Sequence, residues 1–132
     1  MELQKPISIL LIEDEESSSE IIRSMLSARF PLAMIHSAGD ENAGLDYFRR
    51  YLPDIVITGS NLPENDGVLI LDHISAIKAD TRVILSMTRC SGHILDKIAR
   101  SGVAVEFVPK PVDFEILFAS ITRCMAAISR GL

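Results

Sequence analysis

The stretch Pro53–Gly67, PDIVITGSNLPENDG, decides the fold. Ile55 to Ile57 is a short, uncharged, β-branched run, which is typical of a strand buried on both faces. We expect the strand to break over 58–61 and a new apolar run to begin at Val68. In a parallel α/β sheet the working groups stand at the carboxyl ends of the strands, and Gly59 occupies such a place here. Glycine has no side chain, so a position that ought to carry a functional group is blank.

The rest of the chain alternates apolar runs with amphipathic segments. Further buried strands are predicted at 7–12, 34–36, 83–86 and 105–108, the second of them at or near an edge. Helices are predicted between and after the strands, with N-caps at one of Ser17, Ser18 and Ser19, at Asp40 and at Asp113, and with the third and fourth helices over about 68–79 and 92–102. Because strands without polar alternation occur in parallel sheets covered on both faces, we predict an α/β fold with a doubly wound five-stranded sheet.

Length, charge and composition narrow the class of protein. At 132 residues with 48% hydrophobic residues, the chain is expected to form a single domain over 1–132, with a core of about 6–128. A net charge of −5 lacks the basic footprint of a nucleic-acid binder, so we expect no direct nucleic-acid contact. No early apolar run is long enough to cross a membrane and no signal-peptide pattern is found, which predicts a cytoplasmic protein without membrane contact. Cys90 and Cys124 are interpreted as reduced thiols without a metal.

Four stretches in this order and spacing resemble the receiver domain of two-component response regulators. They are ILLIEDE at 9–15, the opening stretch at 53–67, VILSMT at 83–88 and FVPKP at 107–111. The resemblance covers roughly 6–128 and implies a flavodoxin-like fold with strand order 2-1-3-4-5 and helices on both faces. It also implies a role in phosphorelay signal transduction, with a histidine kinase or another signalling protein as partner and no enzymatic activity of its own.

The resemblance also implies a role for particular residues. Glu13 and Asp14 match the acidic pair that holds Mg²⁺, and Gly59 stands where the family has the aspartate that accepts phosphate. Lys110 matches the lysine that contacts the phosphoryl group, and Phe107 matches an aromatic switch.

The strand 4 hydroxyl and the lysine's orientation complete the family pattern. A gapless match puts Met87 at the Ser/Thr position that senses phosphate, whereas a shift of one residue offers Ser86 or Thr88. The family keeps the Lys-Pro peptide bond cis, so we expect a cis bond before Pro111 and a Lys110 side chain directed at the acidic pair.

Gly59 removes the carboxylate on which an acyl phosphate would form. Asp54 cannot replace it, because it lies at the other end of the strand, roughly 16 Å away. Ser60 cannot replace it either, because its side chain points to the opposite face and a hydroxyl needs a base. We therefore expect a pseudo-receiver that acts through protein–protein interaction, with weak or absent Mg²⁺ binding.

The sequence leaves open two alternative functions and one oligomeric state. The main alternative is a conventional Mg²⁺-dependent phosphoaccepting receiver with an altered position 59. A flavin or nucleotide binder on the same fold is disfavoured, because the acidic run at 13–16 would repel phosphate. The resemblance also implies a homodimer through the last two helices and the fifth strand, where Phe114, Phe118 and Cys124 supply apolar groups.

Overall fold

A computed structural model describes residues 6–60, 66–88 and 92–131, apart from the side chains of 59–60 and 66–69. Its strands are Ser8–Ile12 (β1), Met34–Ala38 (β2), Ile55–Ser60 (β3), Arg82–Met87 (β4) and Ala104–Pro109 (β5). Its helices are Glu16–Arg29 (α1), Glu41–Tyr51 (α2), Asp66–Ile77 (α3), Gly92–Ser101 (α4) and Phe114–Ser129 (α5). Strand and helix alternate throughout, as the sequence predicts.

The strands form one parallel sheet in the order β2-β1-β3-β4-β5. This confirms the predicted doubly wound, flavodoxin-like topology, including the position of the second strand at an edge. The chain reverses its winding direction between β1 and β3, so the carboxyl ends of these two strands flank one crevice.

Alternate residues of each strand belong to two separate hydrophobic cores, one on each face of the sheet. On one face Leu10, Val56 and Leu85 pack against α2, α3 and α4, where Phe48 is only 1% exposed. On the other face Ile9, Ile57 and Ile84 pack against residues of α1 and α5, with the remaining members Leu11, Leu26, Phe30, Ile55, Val108, Leu117, Ile121 and Cys124. The sheet is therefore covered on both sides, which explains why its strands are apolar without alternation.

Several boundaries differ from the sequence prediction, and two of the differences lie at the carboxyl edge of the sheet. β3 does not break at Thr58 but continues to Ser60, because Thr58 is buried and pairs with Ile12 on one side and Leu85 on the other. The predicted serine cap of α1 is wrong, because the N-cap is Glu15 and the serines lie inside the helix.

The other two predicted caps are confirmed. The Asp40 carboxylate accepts a hydrogen bond from the Ala43 N–H at 2.8 Å. The Asp113 carboxylate accepts from the N–H groups of Glu115 and Ile116 at 2.9 and 3.2 Å. In the described ranges, no helix has both the length and the apolar character that a bilayer crossing requires.

Candidate functional site

The candidate site lies at the carboxyl edge of the sheet. Glu13 follows β1 directly and its N–H donates to the Ala38 carbonyl at 3.0 Å, which holds the end of β1 against β2. Lys110 follows β5, and its N–H donates to the Met87 carbonyl at 3.1 Å, which holds the end of β5 against β4. These backbone bonds place both ionisable residues at the crevice edge before any side-chain contact is considered.

Glu13, Lys110 and Ser86 line one small pocket between the sheet and the α1–α5 layer. Its volume of about 30 Å³ suits a single water molecule. The Lys110–Pro111 peptide bond is cis, as the resemblance to receiver domains implies. A second, open groove of about 340 Å³ continues outward past Glu13, Lys110 and Pro111 to the surface of α1.

The Glu13 carboxyl has a raised pKa. Partial burial is the largest cause and favours the neutral acid, while the positive charge of Lys110 acts in the opposite direction and the neighbouring Asp14 adds to the rise. The influence of Lys110 on the pKa of Glu13 means that a positive charge lies near this carboxyl.

We expect Glu13→Gln to stabilise the folded chain at neutral pH. A folded-state pKa above the unfolded one means that the charged form is disfavoured in the fold, so the wild type loses stability as pH rises through the folded pKa. The amide removes this penalty, and the gain should vanish at a pH well below 4.5, where the carboxyl is protonated in both states. Thermal unfolding at a series of pH values measures the effect.

The control for this experiment is Glu20→Gln, on the exposed face of α1, whose melting temperature should stay close to that of the wild type. A lower melting temperature for Glu13→Gln at neutral pH would contradict the prediction, since it would mean that attraction to Lys110 outweighs the cost of burial.

Of the three candidates on strand 4, only Ser86 reaches the pocket. Ser86 is the register partner of Gly59 and is 5% exposed, and its hydroxyl has no hydrogen-bond partner among the described residues. Met87 packs on the opposite face of the sheet, and Thr88 is exposed beyond the strand. The match shifted by one residue therefore brings a hydroxyl to the crevice, whereas the gapless match does not.

Phe107 is 42% exposed in β5, opposite Leu85. Its side chain is thus only partly covered. Asp14 is also exposed, immediately after Glu13. Among the residues that the structure describes, no group of three or more His, Cys, Asp or Glu side chains is arranged to hold a metal.

A polar network that sequence reasoning missed links β5 to α5. Glu106 accepts hydrogen bonds from Ser120 Oγ at 2.9 Å and from Arg123 Nη2 at 2.6 Å. Burial, followed by the charge of Glu106, raises the pKa of the adjacent Cys124 thiol to about 11, so this thiol is protonated and unreactive at neutral pH. The available signal was a single charged residue inside an otherwise apolar strand.

Comparison with known proteins assigns the chain to a protein family. Residues 9–122 match the response regulator receiver domain, and the chain belongs to this family. It is similar to the fimbriae Z protein of Salmonella typhimurium, with 23% identity over 125 residues, covering 95% of this chain and 59% of the relative. It is also similar to a probable C4-dicarboxylate response regulator, DctR, of Priestia megaterium, with 28% identity over 112 residues, covering 85% of this chain and 49% of the relative.

Among solved structures, the N-terminal domain of a Wolinella succinogenes protein superposes with a TM-score of 0.80 at 28% identity, covering 96% of this chain and 99% of that one. The chain spans about half to three-fifths of the length of the two curated relatives named above. It is a response regulator receiver domain of two-component signalling. Receiver domains interact with histidine kinases and other signalling proteins, typically bind Mg²⁺ and are generally non-catalytic.

Proposed function

We propose that this receiver domain is a pseudo-receiver, which acts by protein–protein contact and does not accept phosphate. The observation that carries the proposal is Gly59, which lies near the end of β3 in register with Ser86 and has no side chain to phosphorylate. Glu13 and Lys110 stand at the same edge, so the crevice retains its charges but lacks the central carboxylate.

Glu13 and Asp14 would hold a magnesium ion in this crevice, and their carboxylate oxygens are ligands that Mg²⁺ accepts. When bound, the ion would supply positive charge at the crevice. Two carboxylates and water form a sparse ligand set, and burial disfavours the charged form of Glu13. We infer that the affinity for Mg²⁺ is weak.

The partner we propose is a histidine kinase or another signalling protein, bound without phosphoryl transfer to this chain, and we propose no catalytic activity for the chain. The proposal includes a single domain over 1–132 and a cytoplasmic location, both of which rest on family membership. It also includes Phe107 as a switch position, because its exposed ring has room to change orientation.

Family membership also favours a homodimer through α4, β5 and α5, but with other residues at its surface than those predicted from the sequence. Cys124 belongs to the core layer beneath α5, and Phe114 and Phe118 pack against it, where Phe118 meets Phe30, the C-cap residue of α1, edge-on. The exposed apolar side chains on α4, β5 and α5 are instead Leu95, Phe107 and Ile116.

We expect no acid-labile phosphate on this chain after treatment with acetyl phosphate and Mg²⁺, because position 59 offers no carboxylate. Intact-mass spectrometry followed by peptide mapping measures this directly. Gly59→Asp is the matched variant, since it differs only at the missing group. A stoichiometric phosphate mapped near residue 59 of the unaltered chain would overturn the pseudo-receiver proposal and favour the conventional receiver.

A further inference from the structure

The outer edge of β2 lacks the protection that edge strands normally have. Among the residues the structure describes, β2 pairs only with β1, so one side of Met34–Ala38 is open. Proteins usually guard such an edge with charged residues, proline or a bulge, because unpaired backbone groups recruit another strand. The five residues of β2, MIHSA, contain neither a formal charge nor a proline.

The backbone groups that face outward can be identified from the hydrogen bonds. The Met34 N–H donates to the Ile7 carbonyl at 2.8 Å, and the Ala38 carbonyl accepts from the Glu13 N–H at 3.0 Å. Since successive residues of a strand direct their N–H and C=O groups to opposite edges, Ile35 and Ser37 present theirs to the open side. The open edge therefore offers two donors and two acceptors.

We propose that a second copy of this chain pairs with β2 in antiparallel orientation about a twofold axis at His36. In this register Ile35 of each copy lies opposite Ser37 of the other, and each pair exchanges two hydrogen bonds. All the outward groups of these two residues are then satisfied, and the two five-stranded sheets join into one continuous sheet.

Charge selects this partner and this orientation. α2 begins beside the carboxyl end of β2 with Asp40 and Glu41, and it ends with Arg49 and Arg50 in its last turn. α1 has the same polarity, with an acidic first turn and Arg29 in its last turn. An antiparallel twofold pairing sets the acidic beginning of each helix toward the basic end of its equivalent in the other copy, whereas a parallel pairing would align like charges.

Exposed apolar and aromatic groups flank the same edge. The His36 ring stacks on the Tyr47 ring, with the ring centroids 3.9 Å apart and an angle of 5° between the ring planes. The ring centroids of Tyr47 and Tyr51 are 4.6 Å apart. Tyr51 is 59% exposed, and Met34 on the strand itself is 60% exposed. Pairing would cover these groups between the two α2 helices, which adds apolar burial to the strand hydrogen bonds.

Cysteine cross-linking tests the axis directly. In the proposed register the two His36 residues form a non-hydrogen-bonded pair, with Cα atoms about 4.5 Å apart, which is within disulfide range. His36→Cys in a Cys90→Ser background should form an interchain disulfide under mild oxidation at low protein concentration. Ile77→Cys at the end of α3 is the control, exposed but outside both proposed dimer surfaces, and should remain monomeric on a non-reducing gel.

Sedimentation equilibrium provides the second measurement. His36→Lys sets two like charges opposite each other at the axis, so the dissociation constant of the dimer should rise at least tenfold, whereas Ile77→Lys should leave it unchanged. The inference is overturned if the unaltered chain is monomeric at all concentrations. Binding of some other peptide to the β2 edge would not rescue it. It is also overturned if Leu95→Lys dissociates the dimer and His36→Lys does not, since that result assigns the dimer to α4, β5 and α5.

Discussion

Gly59→Asp is expected to raise the affinity of the domain for Mg²⁺ at least about tenfold, which corresponds to about 1.4 kcal/mol. The variant adds a hard oxygen and a full negative charge at the strand end beside Glu13, and Mg²⁺ favours both. Isothermal titration calorimetry of the two forms measures the difference.

The same substitution should lower the stability of the metal-free domain. A third carboxylate then converges on Glu13 and Asp14, and like charges repel, while Lys110 offsets part of the repulsion. Gly59→Asn is the matched control, because it has the same shape without the charge, and it should give neither the gain in affinity nor the full loss of stability. Equal Mg²⁺ affinity for the wild type and Gly59→Asp would show that the crevice is not built as a receiver site, and the proposed roles of Glu13, Asp14 and Lys110 would fall with it.

The fold could be predicted from the sequence because the buried strands are visible as apolar runs. Two of the helix N-caps are visible as aspartates. The prediction failed at the end of β3, where Gly59 and Ser60 resemble the start of a turn in isolation and Thr58, although a good strand former, was grouped with them. Their place in the strand is determined by neighbours on both sides, with Ser60 pairing with Met87 of β4. The length of a central strand is thus a property of the sheet, which the local sequence does not contain.

The candidate site was predictable as a set of positions but not as a set of contacts. Which of Ser86, Met87 and Thr88 reaches the crevice depends on the register between β3 and β4, and a shift of one residue moves each side chain to the other face. The Glu106–Arg123 pair joins residues 17 apart on different elements, so spacing along the chain could not reveal it.

Which side of α5 packs against the core could not be read from the sequence, for a related reason. Its sequence is apolar on more than one side, so periodicity alone did not separate Phe118, which packs on α1, from Ile116, which is 43% exposed. The residues that the sequence predicted for the dimer surface therefore lie partly in a core layer.

Gly44→Leu is expected to lower the free energy of unfolding by about 2–3 kcal/mol, near the upper end for overpacked cores. Gly44 is buried in α2, where a Cβ atom would lie 2.5 Å from Cδ1 and 2.8 Å from Cγ1 of Ile12. Leucine is a better helix former than glycine, so any loss of stability must come from this contact and not from helix propensity. Urea unfolding at equilibrium measures it.

Ala43→Leu is the matched control, because it adds a leucine on the exposed side of the same helix turn, and its stability should stay within about 0.5 kcal/mol of the wild type. Combining Gly44→Leu with Ile12→Ala should restore part of the loss, since it removes the atoms that collide and the two effects will not add. Ile12 directly precedes Glu13, so Gly44→Leu should also weaken the Mg²⁺ affinity gained by Gly59→Asp. If Gly44→Leu is as stable as the control, α2 packs farther from β1 than the structure shows.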